Sequence, residues 1–201
     1  MGYTIAIVAY DERWPEEFRR IGTALREALG SLALRIDHIG STAVPGLPAK
    51  DVIDVQVAVA ALDAAAIDSA LAPLGYRIWE GNAEDHVPPG RDGDAPEEWQ
   101  KLYFRAPAGQ RRTHLHVRQA GRANQRYALL FRDYLRAAPV SAGAYARVAG
   151  AYARVKEALA RLHPEDQEAY YDVKDPVCDI VIDAAERWAV ATGYVPAASD
   201  R

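Results

Sequence analysis

The stretch RIDHIGSTAVPGLPAKDVIDVQVAV, which spans Arg35 to Val59, decides the fold of this chain. It contains two strand-like runs joined by a loop that carries glycine and proline. In the second run, residues 51–59, apolar side chains alternate with others, which places Asp54 and Gln56 together on one face of a predicted strand. This carboxylate and this amide are therefore candidates for contact with a ligand.

The first run ends in a predicted turn at Gly40, Ser41 and Thr42. Glycine lets the backbone turn or approach a ligand closely, and the two hydroxyls and the free backbone N–H groups are donors suited to a phosphate. Taken alone, the pattern fits two interpretations, a phosphate-binding turn or a plain connection between two strands.

The longer string HIGSTAVPGLPAK, residues 38–50, followed by Ile53 and Asp54, resembles the signature of the GrpB family. The resemblance implies a nucleotidyltransferase-like fold of the α/β (α+β) class, a mixed β-sheet flanked by helices with a helical C-terminal part. It also implies a Gly-Ser turn that holds nucleotide phosphates and a nearby Asp-x-Asp or Asp-x-Glu pair that holds magnesium. Members of the family occur fused to dephospho-coenzyme A kinase, which fits a nucleotide-linked role.

The magnesium site implied by this resemblance consists of Asp54 and Gln56. Asp54 matches the first acid, whereas Gln56 stands where the second acid is expected. An amide supplies an oxygen but no charge, and magnesium sites rely mainly on carboxylates and substrate phosphates. The predicted phosphate- or nucleotide-binding residues of the signature are the turn and two neighbours: Gly40, Ser41, Thr42, His38 and Lys50.

A second informative feature is a predicted hairpin of two strands, residues 99–105 and 112–118. One face of this hairpin carries six polar side chains: Lys101, Tyr103, Arg105, His114, His116 and Arg118. If that face continues the one that bears Asp54, the sheet presents acidic, imidazole and cationic groups suited to an anionic, phosphate-bearing ligand. Tyr103 and Arg105 are then further nucleotide ligands. The alternative is that the polar side of the hairpin faces water.

The two histidines also fit a metal pair, since imidazole binds zinc, iron and nickel. The motif THLHV, residues 113–117, is similar to a second recurrent stretch of the GrpB family, which favours at least one histidine in the pocket. Arg132 and Lys174 lie in further stretches that resemble the family and are the cations predicted near a phosphate. The alternative is that Lys174 is an ordinary surface lysine and that Arg132 forms an ion pair on the surface of a helix, with no ligand.

The length of 201 residues suits a single domain, residues 1–196, with a sheet core at 1–120, a helical wall at 121–196 and a frayed tail at 197–201. The net charge of −4 gives no general attraction to nucleic acid or to an anionic membrane. No apolar segment is long enough to span a bilayer and no signal-peptide pattern is present, so a cytoplasmic protein is predicted. The single cysteine, Cys178, excludes an intrachain disulfide.

Periodicity predicts the remaining elements, which are strands at 4–9 and 76–80 and helices at 15–29, 63–74, 124–137, 141–162, 164–171 and 175–193. Residues 81–98 form a long unpatterned loop that is either a lid or disordered, and His86 within it is either a loop histidine or a ligand contact. The string AYARV occurs at 144–148 and again at 151–155. This heptad-spaced face either packs internally or joins two copies in a homodimer.

Three functions fit these patterns. The first is a magnesium-dependent transferase that moves a nucleotidyl group from a nucleoside triphosphate to an unknown small-molecule acceptor, with Asp54 on the metal and His114 or His116 as general base. The second is a non-catalytic module that binds a nucleotide or phosphometabolite, which Gln56 favours. The third is a metal-dependent hydrolase that uses both histidines.

Overall fold

The computed structural model describes residues 4–137 and 144–200, except for the side chains of 144–146. The first residues of the helix predicted at 141–162, residues 141–143, lie outside that description. The helices and strands, numbered in chain order, are α1 (Trp14–Leu29), β1 (Ala33–Ile39), β2 (Ile53–Val59), α2 (Ala64–Leu71), β3 (Arg77–Ile78), β4 (Leu102–Arg105), β5 (Thr113–Gln119), α3 (Ala123–Arg136), α4 (Ala144–Leu162) and α5 (Gln167–Thr192).

The strands form one mixed sheet in the order β1-β2-β5-β4-β3. The central pair, β2 and β5, is parallel, and the other neighbours are antiparallel. The α/β (α+β) fold class predicted from the sequence, a mixed sheet with a helical C-terminal part, is confirmed.

The two faces of the sheet differ because its central strands alternate. Ile53, Val55 and Val57 are fully buried on the face that packs against α1 and α2. Helix α1 supplies an apolar stripe to this core, including Phe18 and Leu25, and it begins with a proline in its first turn as predicted. The opposite face carries the polar residues of β2 and β5 and lies toward α3.

The C-terminal helices pack around a second core that includes Tyr134, Tyr152 and Ile182. Two separate helices were predicted at 164–171 and 175–193, and this is wrong, because α5 runs unbroken through Pro176 from a cap at Asp166. A proline inside a helix costs one backbone hydrogen bond and a steric contact, about 3 kcal/mol. Burial of Tyr170 before Pro176 and of Val181 after it stabilises the helix on both sides of the proline.

The predicted strand at residues 4–9 does not join the sheet. Val8 forms an isolated bridge with Ala49, and the Ile5 amide donates to the Pro164 carbonyl oxygen at 2.6 Å. The segment therefore connects the signature loop to the turn before α5. Ile5 of this segment is buried in a small core that includes Leu159 and Tyr170. Periodicity alone does not predict this tertiary contact.

Residues 197–200 do not fray, in contrast to the prediction for the tail. The Ser199 hydroxyl accepts from the Ile36 amide at 2.8 Å and donates to the Ile36 carbonyl at 2.9 Å. The Asp200 carboxylate accepts from the His38 amide at 3.0 Å. The tail covers β1, the edge strand of the sheet, whose outward backbone groups need partners.

Asp63, the first residue of the helix predicted at 63–74, caps α2 by accepting from the Ala66 amide at 3.0 Å. The single cysteine, Cys178, is buried. None of the helices among the described residues is both long enough and apolar enough to cross a membrane.

Candidate functional site

The predicted polar faces of β2 and the hairpin meet on one side of the sheet. Asp54 lies opposite His114 in the parallel pair, and Tyr103 of β4 lies opposite His116. The Asp54 Oδ1 atom is 3.2 Å from His114 Nδ1 and 4.0 Å from His116 Nε2. The Tyr103 ring packs edge-on against both imidazoles, with centroid distances of 5.6 and 5.1 Å.

Gly40 brings the signature turn directly against Asp54. Its φ of +69° lies in the region that favours glycine, and a Cβ built on it would lie 2.4 Å from Asp54 Oδ2. The turn and the acid therefore form one unit. Although burial opposes ionisation of Asp54, the hydrogen bond from His114 and the electrostatic effect of the two nearby imidazoles and Lys50 lower the pKa of its carboxyl below the usual value.

A lysine that the sequence did not single out binds the same turn. Lys156 of α4 is 2 % exposed and donates to the Ser41 hydroxyl at 2.9 Å and to the Pro48 carbonyl at 2.6 Å. Its ammonium group also lies 4.6 Å from the centroid of the Tyr152 ring. Burial, together with the charges of Lys174 and Lys50, lowers the pKa of Lys156 to about 7.

Lys50, in the loop between β1 and β2, and Lys174 of α5 lie near Lys156, and these three residues form a lysine cluster. The Lys50 ammonium donates to the Tyr171 hydroxyl at 2.7 Å and lies 4.7 Å from the centroid of that ring, and Lys174 lies 5.5 Å from the same centroid. Lys174 also pairs with Asp175 at 3.1 Å. Nearby, Tyr170 is fully buried and its hydroxyl makes no hydrogen bond within the described residues.

A cavity of about 310 Å³ adjoins this cluster. Its wall includes Lys50, Arg111 and Arg112 together with Thr4 and Val8 of the N-terminal segment. This volume is at the lower end of the range for small-molecule pockets. A larger cleft of about 630 Å³ lies between residues 88–91, α3 and α5, and none of the predicted site residues lines it.

The residues predicted to hold magnesium do not fit that ion. Gln56 is fully buried, and its Oε1 atom accepts from Arg118 at 2.7 Å while its amide donates to the Gln125 carbonyl at 3.2 Å. Its oxygen is therefore committed to a cation, which leaves Asp54 as a single carboxylate. Within 4–137 and 144–200 there is no group of three or more His, Cys, Asp or Glu side chains placed to hold a metal.

Arg118 belongs to a buried network centred on Asp85. The Asp85 carboxylate accepts from Arg118 at 2.7 and 2.9 Å, from Lys101 at 2.7 Å and from Asn124 at 3.0 Å. Burial opposes the charge, yet these two cations hold the pKa of the Asp85 carboxyl far below its usual range. The network anchors the beginning of the 81–98 loop to β5 and α3. His86, the next residue, pairs with Asp179 of α5 at 2.9 Å.

His38 and Thr42 were predicted to bind the nucleotide, and their side chains do not reach the polar face. His38 points to the opposite face, where it stacks on Phe18 at 4.8 Å and its Nε2 atom lies 3.0 Å from the Thr42 hydroxyl. Burial, reinforced by nearby arginines, lowers the pKa of His38 to about 3. Thr42 donates to the Val52 carbonyl at 3.2 Å, so both side chains hold the loop in shape.

Arg132 was predicted to lie near a phosphate, and it is instead a structural cation. Its guanidinium is 1 % exposed and donates to Asp133 at 2.6 Å, to the His38 carbonyl at 2.9 Å and to Asp200 at 3.0 Å. These contacts tie α3 to β1 and to the tail. Arg105 lies at the outer part of the polar face, with its guanidinium 3.9 Å from the Trp79 ring centroid.

Sequence reasoning missed Lys156 and Asp85 for different reasons. The chain has only four lysines against twenty arginines, and that scarcity was the available signal for Lys156. Three of those four lysines lie close together, because Lys156 binds the Ser41 hydroxyl and the charges of Lys50 and Lys174 help to lower the pKa of Lys156. Asp85 lies in a loop without periodic pattern, so no spacing connected it with Arg118.

The fold and the site together define an α+β protein whose mixed sheet turns a polar face and a glycine-serine turn toward a helical C-terminal part. The sequence model of one family, described as GrpB protein, matches residues 4–184. The chain therefore belongs to the GrpB family.

A crystal structure of the conserved protein GrpB from Enterococcus faecalis matches this chain with a TM-score of 0.68 and 27% identity, covering 91% of this chain and 99% of that chain. A protein from Mycolicibacterium paratuberculosis named dephospho-CoA kinase is 36% identical in an alignment 207 positions long, which covers 96% of this chain and 48% of that protein. The chain thus spans about half the length of the curated relatives it matches first.

A looser likeness is to the structure titled "Structural Basis for the Activity of a Cytoplasmic RNA Terminal U-transferase", with a TM-score of 0.46 and 15% identity over 74% of this chain and 41% of that chain. A likeness at this level carries no argument about function.

Proposed function

We propose that this chain binds a phosphate-bearing small molecule of the nucleotide class, without a resident metal ion, between the Gly40-Ser41 turn and the helices α4 and α5. The observation that carries the proposal is the grouping of Lys50 and Lys174 near Lys156, the lysine that donates to the Ser41 hydroxyl of that turn. Like charges brought together in a buried place repel one another, and a bound anion relieves that repulsion.

The groups around the turn favour a ligand in which a phosphate is attached to a ring. The Ser41 hydroxyl and the Lys156 ammonium are already within hydrogen-bonding distance of each other, so a phosphate oxygen that reaches one reaches both. The Tyr171 ring lies beside Lys50 and Lys174, and the Tyr170 hydroxyl, which has no partner among the described residues, is a further donor. The adjoining cavity has room for part of a nucleotide and is lined by two arginines.

Calorimetric titration with ATP, ADP, AMP and adenosine tests this proposal. Affinity is expected to rise with the number of phosphates, and Lys156→Met and Lys50→Met are each expected to lower ATP affinity by about tenfold or more, the loss of a charged hydrogen bond. Arg187→Met, at an exposed pair on α5, is the matched control and leaves affinity unchanged. Equal binding of adenosine and ATP, or unchanged affinity in both lysine variants, contradicts the proposal.

Nucleotidyl transfer is the second candidate, and the pair of Asp54 and His114 favours it. A carboxylate that orients an imidazole is a common device for proton removal from an attacking hydroxyl. Release of diphosphate from ATP in the presence of glycerol, compared between the parent protein and Asp54→Asn, tests this candidate. Equal release by the two proteins removes Asp54 from the chemistry.

A further inference from the structure

His114 and His116 face different partners although they are neighbours on one strand face. The His114 Nδ1 atom lies 3.2 Å from Asp54 Oδ1. An ionised carboxylate only accepts hydrogen bonds, so the proton of this contact belongs to His114 Nδ1. In the neutral ring the lone pair is therefore on Nε2, the nitrogen that Asp54 leaves free.

His116 has the reverse arrangement. Its Nδ1 atom lies 3.4 Å from Arg118 Nη2, and a guanidinium only donates, so this Nδ1 carries the lone pair. The Arg118 guanidinium is fixed in turn by Asp85 and Gln56. Burial and the charges of Arg118 and Lys101 hold the pKa of His116 well below its usual value, so the ring is neutral and Nε2 carries the hydrogen.

The Tyr103 ring packs against both imidazoles and hinders the ring rotation that would exchange their nitrogens. The protein thus fixes opposite tautomers on the same face of the sheet, with the hydrogen on Nδ1 in His114 and on Nε2 in His116. Of these two histidines, only His114 retains an imidazole lone pair that contacts neither Asp54 nor Arg118, while His116 directs an N–H toward Asp54 at 4.0 Å.

We propose that the two histidines have separate roles at the ligand site, with His114 Nε2 as the proton acceptor and His116 Nε2–H as a fixed hydrogen-bond donor. This proposal rests on the proposed function, which supplies the phosphate-bearing ligand that both histidines would contact. A hydroxyl or water beside the bound phosphate donates its hydrogen bond to His114 Nε2, and its proton passes to that nitrogen as the oxygen forms a bond to phosphorus and the bond from phosphorus to the leaving phosphate oxygen breaks. The proton then resides on an imidazolium whose positive charge is stabilised by the Asp54 carboxylate.

The same arrangement argues against a metal pair. A metal ligand must offer a lone pair, and the His116 lone pair on Nδ1 faces the Arg118 guanidinium rather than open space. The two histidines are therefore unequal in chemistry although their side chains are almost equally exposed, at 18 % and 16 %.

Nitrogen-15 NMR of the labelled protein at mildly alkaline pH tests the tautomers without any ligand. The two rings are assigned by the signals lost in His114→Asn, which keeps an amide near the Nδ1 position, and in His116→Gln, which keeps one near the Nε2 position. The expected result is protonation at Nδ1 in His114 and at Nε2 in His116. The same tautomer in both rings, or the reverse assignment, overturns the proposal.

Modification with diethyl pyrocarbonate, mapped by mass spectrometry, tests the free lone pair. The expected result is that His114 reacts several-fold faster than His116, and because exposure is matched, accessibility does not explain that difference. Equal rates overturn the proposal. Bound ATP is expected to slow modification of His114, and ATP that binds by calorimetry but leaves this rate unchanged contradicts a role for His114 at the ligand. Failure of ATP to bind refutes the proposed function instead, and the tautomers remain decided by the NMR measurement.

Discussion

Gly40 and Asp54 occupy one small space, because a Cβ on residue 40 would lie 2.4 Å from the Asp54 carboxylate oxygen Oδ2 and 3.0 Å from its Cβ. This contact joins the turn that carries Ser41 to the strand that carries Asp54. The three lysines near the turn and the two histidines beside Asp54 are therefore parts of one site. The charge of Lys50 helps to lower the pKa of the Asp54 carboxyl, which links the two groups.

Replacement of Gly40 by alanine tests that contact. Gly40→Ala combines a positive φ with a steric clash, and we expect a loss of about 2–3 kcal/mol in unfolding free energy together with loss of the Asp54–His114 hydrogen bond. Gly46→Ala is the matched control, since Gly46 has a φ of +77° and nothing within 4 Å of an added Cβ. The Gly46→Ala substitution is expected to lower the unfolding free energy by about 1 kcal/mol. Urea unfolding measures both, and equal losses would show that Asp54 does not restrict residue 40.

The lowered pKa of Lys156 predicts how stability depends on pH. Between about 7 and the ordinary value of 10.5 the folded state binds fewer protons at Lys156 than the unfolded chain does, so the contribution of this group to unfolding free energy rises with pH in that window. The difference between the parent and Lys156→Met is expected to grow in favour of the parent by up to about 1.4 kcal/mol per pH unit from pH ~7 to ~9.

Urea unfolding at several pH values measures this slope, and Arg187→Met, which removes a group that does not titrate there, is the control. A flat difference between the parent protein and Lys156→Met across the window would show that Lys156 keeps an ordinary pKa in the folded state.

The Asp85 network predicts a large effect from a loop residue. Asp85→Asn leaves Arg118 and Lys101 without their shared carboxylate in a mostly buried place, and we expect a loss of about 3 kcal/mol in unfolding free energy. Asp92→Asn changes an exposed acid of the same loop and is expected to stay within about 0.5 kcal/mol of the parent. Equal stability of the two variants in urea would mean that Asp85 does not anchor the loop.

The contact between the tail and β1 is testable at a single amide. In Asp200→Ala the His38 amide and the Arg132 guanidinium lose an acceptor, and we expect a loss of about 1–3 kcal/mol together with faster hydrogen exchange at the His38 amide. Asp183→Ala, at an exposed ion pair on α5, is the control and leaves that amide protected. Unchanged exchange in Asp200→Ala would contradict pairing between the tail and β1.

Patterns with a clear period predicted most of the fold. The alternation of Ile53, Val55 and Val57 gave the buried face of β2, and the same reasoning placed Asp54 opposite that face. The meeting of β2 with the hairpin was not derivable from spacing, because it depends on a parallel pairing between strands more than fifty residues apart.

Errors arose where tertiary contacts outweigh local signals. His38 alternates into the face that Phe18 covers, so its place in a family signature does not make it a ligand. Arg132 has the chemistry of a phosphate ligand, yet Asp133, Asp200 and a carbonyl oxygen already occupy its guanidinium. Lys156 is far from Ser41 along the chain, and only the packing of α4 brings the two together.

Calorimetric titration of the protein with ATP in the presence of excess EDTA, and again with magnesium, tests the central claim most directly. We predict binding in EDTA at an affinity close to that with magnesium, lost or strongly weakened in Lys156→Met and kept in Gln56→Glu, since the cluster of lysines supplies the positive charge. Binding that requires magnesium, or no binding of ATP in either condition, would contradict the account.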